Sequence, residues 1–167
     1  MATDYAGSAY GALIEEQLTE ERSRKQSFEQ RGLAVVTSAG TLVTLLFGLV
    51  AVLTKVEGFV LPDDARPFLL ATLLLFTLAG SLGLIINKPQ KYAEPSASWL
   101  ETLTSEIVWR APDLRLAERR TAQARVNSIR SFRDRNKRKG FALTAAIVLE
   151  VLAVACLSVA VLKILTS

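Results

Sequence analysis

The chain has 167 residues, too few for a membrane domain joined to a separate soluble enzyme. It contains no histidine and one cysteine, Cys156, which excludes histidine acid–base catalysis, disulfide bonds and Cys/His metal sites. It also lacks a Walker-type phosphate loop, a GxGxxG motif and an HExxH helix, so we predict a protein that is not an enzyme and needs no cofactor.

The first element is a charged helix that covers most of the N-terminal segment, residues 1–32. Helix-forming residues dominate from about Tyr10, and Glu20–Arg24 and Glu21–Lys25 have the favourable i,i+4 spacing. This helix runs into the first of three apolar segments, with Gly32 as a potential weak point at the junction.

The three apolar segments cover residues 33–54, 67–87 and 141–162. Each contains about the 20 residues that an α-helix needs to cross a bilayer. We therefore predict an all-α membrane protein with three transmembrane helices. Spans one and two form a hairpin over residues 33–87, and the third span with a short tail covers 141–167.

A basic helical region, residues 88–140, connects the second and third spans. Pro89 and Pro95 exclude a continuous helix at its start. Ser98 followed by Glu101 resembles a capping box and predicts a short amphipathic helix over 99–109, which lies at the lipid headgroups or packs on the other charged helices. A second helix is predicted from 113 to 164, because no proline interrupts that stretch.

The charge distribution predicts the topology. Residues 88–140 hold 13 Lys and Arg against 6 Asp and Glu, whereas the 55–66 turn has a small negative net charge. The positive-inside rule then places the two charged helical regions in the cytoplasm and the C-terminus outside, in the inner membrane of a bacterium. A basic cluster directly before the third span is interpreted as an anchor on anionic lipid headgroups, with no nucleic acid expected as a partner; it comprises Arg130, Arg133, Arg135, Lys137, Arg138 and Lys139.

Small and hydroxyl residues mark one face of the first span: Thr37, Thr41, Thr44, Gly48 and Ala51. We call this set the threonine stripe. Its spacing favours close packing against another helix, because small residues let two backbones approach. The alternative is that the hydroxyls line a hydrated pathway.

Small residues also occur in the other two spans. Gly80 and Gly83 predict a helix contact in the second span, and Ala146 and Ala153 do so in the third.

Glu150 is the single acidic residue inside the third apolar segment, about ten residues beyond Gly140. A carboxyl group at that depth is costly unless it is protonated or paired, and it marks a functional or assembly site. Two interpretations are open. Either Glu150 bonds a threonine or a carbonyl of a neighbouring helix, or a ring of such groups, one from each subunit, selects cations or carries protons.

Residues 20–49, EERSRKQSFEQRGLAVVTSAGTLVTLLFGL, resemble the first-span region of small actinobacterial membrane proteins of unassigned role. The order of charged helix, two-span hairpin, basic helix and final span is also similar to that of the SLATT and Pycsar-type transmembrane effectors of antiphage systems. That resemblance implies an oligomer that damages the membrane when a nucleotide signal arrives.

The sequence thus favours a homo-oligomer that forms a channel-like or membrane-perturbing assembly gated by its charged helices, such as an antiphage effector. An alternative is a non-catalytic membrane anchor or adaptor that docks a soluble partner through those helices, with Glu20, Glu21, Arg24 and Lys25 in the docking surface. A small multidrug-type transporter subunit fits less well, because the chain shows no internal repeat.

Overall fold

A computed structural model describes residues 6–55, 61–105 and 113–166 of the chain. All regular secondary structure in these ranges is helical: α1 (Ala6–Leu53), α2 (Arg66–Asn87), α3 (Ala97–Leu103) and α4 (Leu114–Thr166). Helices α1, α2 and α4 are each long and apolar enough to cross a membrane. The predicted all-α class with three membrane-length helices is confirmed.

Helix α1 is continuous through Gly32, where the sequence suggested a loosened junction. The glycine is buried against α2, since a side chain added there would lie 2.9 Å from atoms of Ile86 and Asn87. Gly32 therefore serves a close helix contact, and the intrahelical hydrogen bonds carry the helix through it.

Helix α3 begins earlier than predicted and has a different cap. The N-cap is Ser96, whose hydroxyl accepts a hydrogen bond from the Trp99 amide, so the expected pairing of Ser98 with Glu101 is wrong. The predicted helix over 99–109 extends only to Leu103 in the described part, and residues 106–112 lie outside it. At the start of α4 the Asp113 carboxylate accepts from the Leu116 amide, as expected for an N-cap acid.

The chain forms two compact units. One, which we call the span unit, comprises Phe28–Lys88 and Lys139–Ser167. Within it α1 and α4 run parallel, because Glu29 contacts Lys139 and, further along both helices, Ser38 contacts Glu150.

Helix α2 runs antiparallel to α1 and α4, since its C-terminal Ile86 meets Gly32 while its N-terminal Thr72 meets Ala153. The packed centre of the span unit holds two apolar clusters. One contains Val35, Ala79, Ile86, Leu143 and Ala146, and the other contains Ala39, Phe76 and Ala153.

The other unit, which we call the polar unit, comprises Met1–Ser27 and Pro89–Arg138. The charged parts of α1 and α4 pack together in it around the buried side chains of Leu18, Ile129 and Phe132. The extended stretch before α3 docks on α4, where Ser128 donates to the Ala93 carbonyl and the Ala93 amide donates to Ser131. Nearby, the ring of Tyr92 stacks on Phe132 with 4.3 Å between centroids.

Candidate functional site

Glu150 contacts a serine of the first span inside the span unit. The distance between Ser38 Oγ and Glu150 Oε1 is 2.5 Å, and both residues are half-buried. Ala146 and Ala153, one turn to either side of Glu150, are completely buried, which lets the neighbouring helices approach the carboxyl group closely. The structure thus brings Glu150 to a hydroxyl group of the same chain.

The threonine stripe faces away from the other helices of the span unit. Each threonine donates its hydroxyl to a carbonyl of α1 one turn earlier, at 2.9–3.1 Å: Thr37 to Leu33, Thr41 to Thr37 and Thr44 to Gly40. These internal bonds satisfy the hydroxyl groups without water or a partner helix. The threonines therefore lie on an exposed face of α1 that is made of small residues, and their hydroxyl groups are hydrogen-bonded within the helix.

The other members of the stripe are equally exposed. A side chain added at Gly48 would meet no atom within 4 Å, and Ala51 is exposed. Gly40, which the sequence analysis did not single out, lies on the same face and is open in the same way. At about 100° per residue, this face is opposite to the side of α1 that carries the buried residues Val35 and Ala39.

The glycines of the second span have different surroundings. A Cβ atom at Gly83 would lie 2.7 Å from Val36 Cγ2 and 2.8 Å from the Gly32 carbonyl oxygen, so α1 and α2 cross at this point with their backbones in contact. A Cβ atom at Gly80 would lie 3.9 Å from the Ala39 Cβ, which is an ordinary contact. Gly83 therefore sets the distance between α1 and α2, and Gly80 does not.

Lys139, grouped by the sequence with the headgroup-binding cluster, is buried in the span unit. Its side chain is 2% exposed, and its Nζ lies 2.6 Å from Glu29 Oε1. Lys139 therefore forms an internal ion pair between α1 and α4, and its ammonium group is not available to a lipid headgroup.

The remaining cations of the basic cluster lie in the polar unit. Arg133 donates from Nε to Glu21 Oε1 and from Nη2 to Gln17 Oε1, at 3.2 and 2.9 Å. Arg135 is half-buried. Arg130, Lys137 and Arg138 are exposed and have no ion-pair partner in the described residues, so they are the members of the cluster most open to an anionic surface. Arg133 is also exposed, but it is paired with Glu21.

The polar unit contains a buried carboxylate, Glu21, which the sequence predicts only as an i,i+4 neighbour of Lys25. The Glu21 side chain is 3% exposed, and the buried Asn136 amide donates to both its Oε2 and its backbone carbonyl, at 2.9 and 3.0 Å. Lys25 instead lies over the Tyr92 ring, 4.9 Å from its centroid. The available signal was Asn136, an uncharged polar residue within a cluster of cations, since a buried polar side chain requires a hydrogen-bond partner.

An ion pair joins the turn before α2 to the end of α4 in the span unit. Lys163 Nζ lies 2.9 Å from Asp64 Oδ2, and both side chains are largely exposed. The hydrogen bond from Lys163 and its positive charge hold the pKa of Asp64 below its ordinary value of 3.8.

Comparison with family models, with curated proteins and with solved structures finds no match for this chain. The class of the protein therefore follows from its own structure. In the described residues it is an all-helical protein with three helices long and apolar enough to cross a membrane, and Glu150 of the third of these is bonded to Ser38 of the first.

Proposed function

We propose that the chain self-associates in the inner membrane of a bacterium through the threonine stripe and forms a channel-like or membrane-perturbing assembly. One observation supports this most strongly: the stripe is exposed along α1 on the side opposite its contacts with α2 and α4. A helix surface that faces lipid gains nothing from small residues at every fourth position, such as Gly40, Thr44 and Gly48. A second copy of the helix does benefit, because such residues permit close backbone approach.

Glu150 has a supporting part in this proposal. Its bond to Ser38 ties α4 to the flank of α1, next to the stripe, so the carboxyl group stabilises the helix that carries the contact surface. In an assembly built on α1, this pair stands beside the subunit contact, where an acid within reach of water favours cations over anions.

The polar unit has the properties of a gating element in this proposal. Among the residues that the structure describes, its apolar core contains only three buried side chains. Polar contacts such as that between Glu21 and Asn136 complete the packing. A region with few buried apolar contacts opens at a lower free-energy cost than a well-packed core. The exposed cations Arg130, Lys137 and Arg138 precede the third span in the sequence, so the positive-inside rule favours the cytoplasmic side for this unit.

Native mass spectrometry and ion flux test the proposal together. Wild-type protein is expected as a ring of four or more subunits in mild detergent and as an ion conductor in liposomes. Gly48→Leu places a bulky side chain in the stripe and is expected to abolish both properties. Ala155→Leu is the matched control, since Ala155 is an exposed residue of α4 away from the stripe. A wild-type monomer or dimer without conductance overturns the proposal and favours the membrane anchor or adaptor.

The acid is tested separately with Glu150→Gln, which retains an oxygen that accepts from Ser38 but removes the charge. If Glu150 confers cation preference, this variant assembles normally and conducts with reduced selectivity. Unchanged selectivity would assign Glu150 to helix packing alone.

A further inference from the structure

The polar unit contains a cavity of about 470 Å³ that none of the preceding contacts explains. Three helices and the stretch before α3 line it, and one side is open to solvent. Helix α1 contributes residues at i, i+3, i+4 and i+7 from Glu15 to Arg22, and α4 contributes the same spacing from Thr121 to Ser128. Its volume lies within the usual range of small-molecule pockets, roughly 300–1,000 Å³.

The apolar wall of the cavity is incompletely covered. Its apolar residues are Leu18, Pro95, Trp99, Leu100, Leu103 and Ala124. Leu100 is 49% exposed although it borders the cavity, and Trp99 and Leu103 are only half-buried. Small residues such as Ala124 and Thr19 stand where larger side chains would fill the space. A flat apolar molecule beside the Trp99 indole would bury this surface.

The charged groups at the cavity fall into two classes. Arg125 and Glu15 satisfy each other, with Nη1 and Oε2 3.2 Å apart. The side chains of Arg22 and Glu94 have no ion-pair partner in the part of the chain that the structure describes, and they come from different elements, α1 and the stretch before α3. The cavity therefore offers one unmatched cation, one unmatched anion and an aromatic surface.

We propose that this cavity binds a small zwitterion with a flat apolar body, the chemistry of an aromatic amino acid. Arg22 takes the carboxylate of the ligand, Glu94 takes its ammonium group, and Trp99 contacts its ring. A ligand with only one of these charges makes only one of the two charge-assisted contacts, so it binds more weakly. The proposal goes beyond self-association, because it concerns binding to the polar unit of a single chain.

Ligand-detected saturation-transfer NMR on the full chain in nanodiscs, with empty nanodiscs as the blank, tests the proposal. The probes are L-phenylalanine, 3-phenylpropionate, which lacks the ammonium group, and phenethylamine, which lacks the carboxylate. L-Phenylalanine is expected to bind in the millimolar range, as its size allows, and about tenfold or more tightly than either single-charge probe.

Charge-removing variants assign the two ends of the ligand. Arg22→Gln is expected to weaken the binding of L-phenylalanine by about ten- to hundredfold and to leave that of phenethylamine unchanged. Glu94→Gln is expected to weaken L-phenylalanine to the same extent and to leave 3-phenylpropionate unchanged. Arg130→Gln and Glu101→Gln remove the same charges at exposed positions outside the cavity and should change nothing. All four substitutions are at exposed side chains, so the fold is preserved and can be verified by circular dichroism.

No binding of L-phenylalanine to the wild-type chain overturns the proposal. So does equal binding of all three probes, or equal loss in a variant and its control. Because binding is measured directly, a result against it leaves the self-association experiment unaffected, and a monomeric protein that binds the zwitterion supports this proposal alone.

Discussion

Replacing Gly83 with alanine should destabilise the packing of α1 against α2. The added Cβ would lie 2.8 Å from the Gly32 carbonyl oxygen, a backbone atom that cannot rotate away, and 2.7 Å from Val36 Cγ2. Both distances are shorter than real Cβ contacts, so the two helices must separate or shift along each other. Overpacking of this kind costs about 1–3 kcal/mol, which lowers the folding equilibrium constant roughly 5- to 150-fold.

Gly80→Ala is the matched control on the same helix. Its new Cβ would make an ordinary 3.9 Å contact with the Ala39 Cβ, and alanine is favoured over glycine in a helix by up to about 1 kcal/mol. We therefore expect this variant to be unchanged or slightly more stable. The two substitutions are chemically identical and one turn apart, so their difference isolates the helix contact.

Cys156 provides the assay. It is the single cysteine of the chain and is half-buried on α4 within the span unit, so its labelling by a water-soluble maleimide reports opening of that unit. Labelling rates across an SDS titration give the midpoint of unfolding for each variant. If Gly83→Ala has the wild-type midpoint, or if Gly80→Ala is destabilised as much, the close crossing of α1 and α2 does not exist as described.

Three further outcomes follow from the polar contacts. Glu21→Ala should destabilise the polar unit by about 2 kcal/mol because one N–H of the buried Asn136 amide loses its acceptor. Glu20→Ala removes an exposed ion pair and should cost less than about 1 kcal/mol. Thermal melts followed by Trp fluorescence compare the two variants, and equal effects would contradict the burial of Glu21. The lowered pKa of Asp64 means that its ion pair stabilises the fold above about pH 4 and loses this effect as the pH falls through the folded pKa. Acid titration monitored by circular dichroism should therefore show a component that Asp64→Asn removes. A double-mutant cycle with Ser38→Ala and Glu150→Leu should give a coupling free energy of about 0.6–1.7 kcal/mol, and a value near zero would mean that the two side chains do not interact.

The elements that the sequence predicted well are those determined by composition over many residues. Three long apolar runs, two without charge and one with Glu150 alone, favour membrane-length helices, and Pro89 and Pro95 interrupt the chain where the structure has no helix. The cap of α3 was placed on the wrong serine because Ser96 and Ser98 both have a cap-forming side chain. Local sequence did not distinguish them, and the docking of Ala93 on α4 was not visible in it.

Side-chain partners between distant segments were the part that sequence alone did not supply. Glu21 and Lys25 have the spacing of a surface pair, yet Glu21 is directed at Asn136, 115 positions along the chain, and Lys25 at Tyr92. Lys139 ends a run of basic residues that suggests solvation, but Glu29 draws it into the packed span unit. For Glu21 and Glu29 the register of α1 against α4 decides the partner, and that register depends on packing along both helices.

The same register explains why Glu150 meets Ser38 and not the threonine stripe. Side chains on a helix lean toward its N-terminus, so the Glu150 carboxyl covers a point about one turn before its own Cα. On the parallel helix α1, the hydroxyl group within reach at that level is Ser38, which lies about 100° around the helix from Thr37. An acid placed there stabilises the monomer and still borders the exposed face. The functional role of Glu150 thus depends on whether a second subunit covers the threonine stripe. The number of subunits in the assembly is therefore the measurement that connects this fold to an activity.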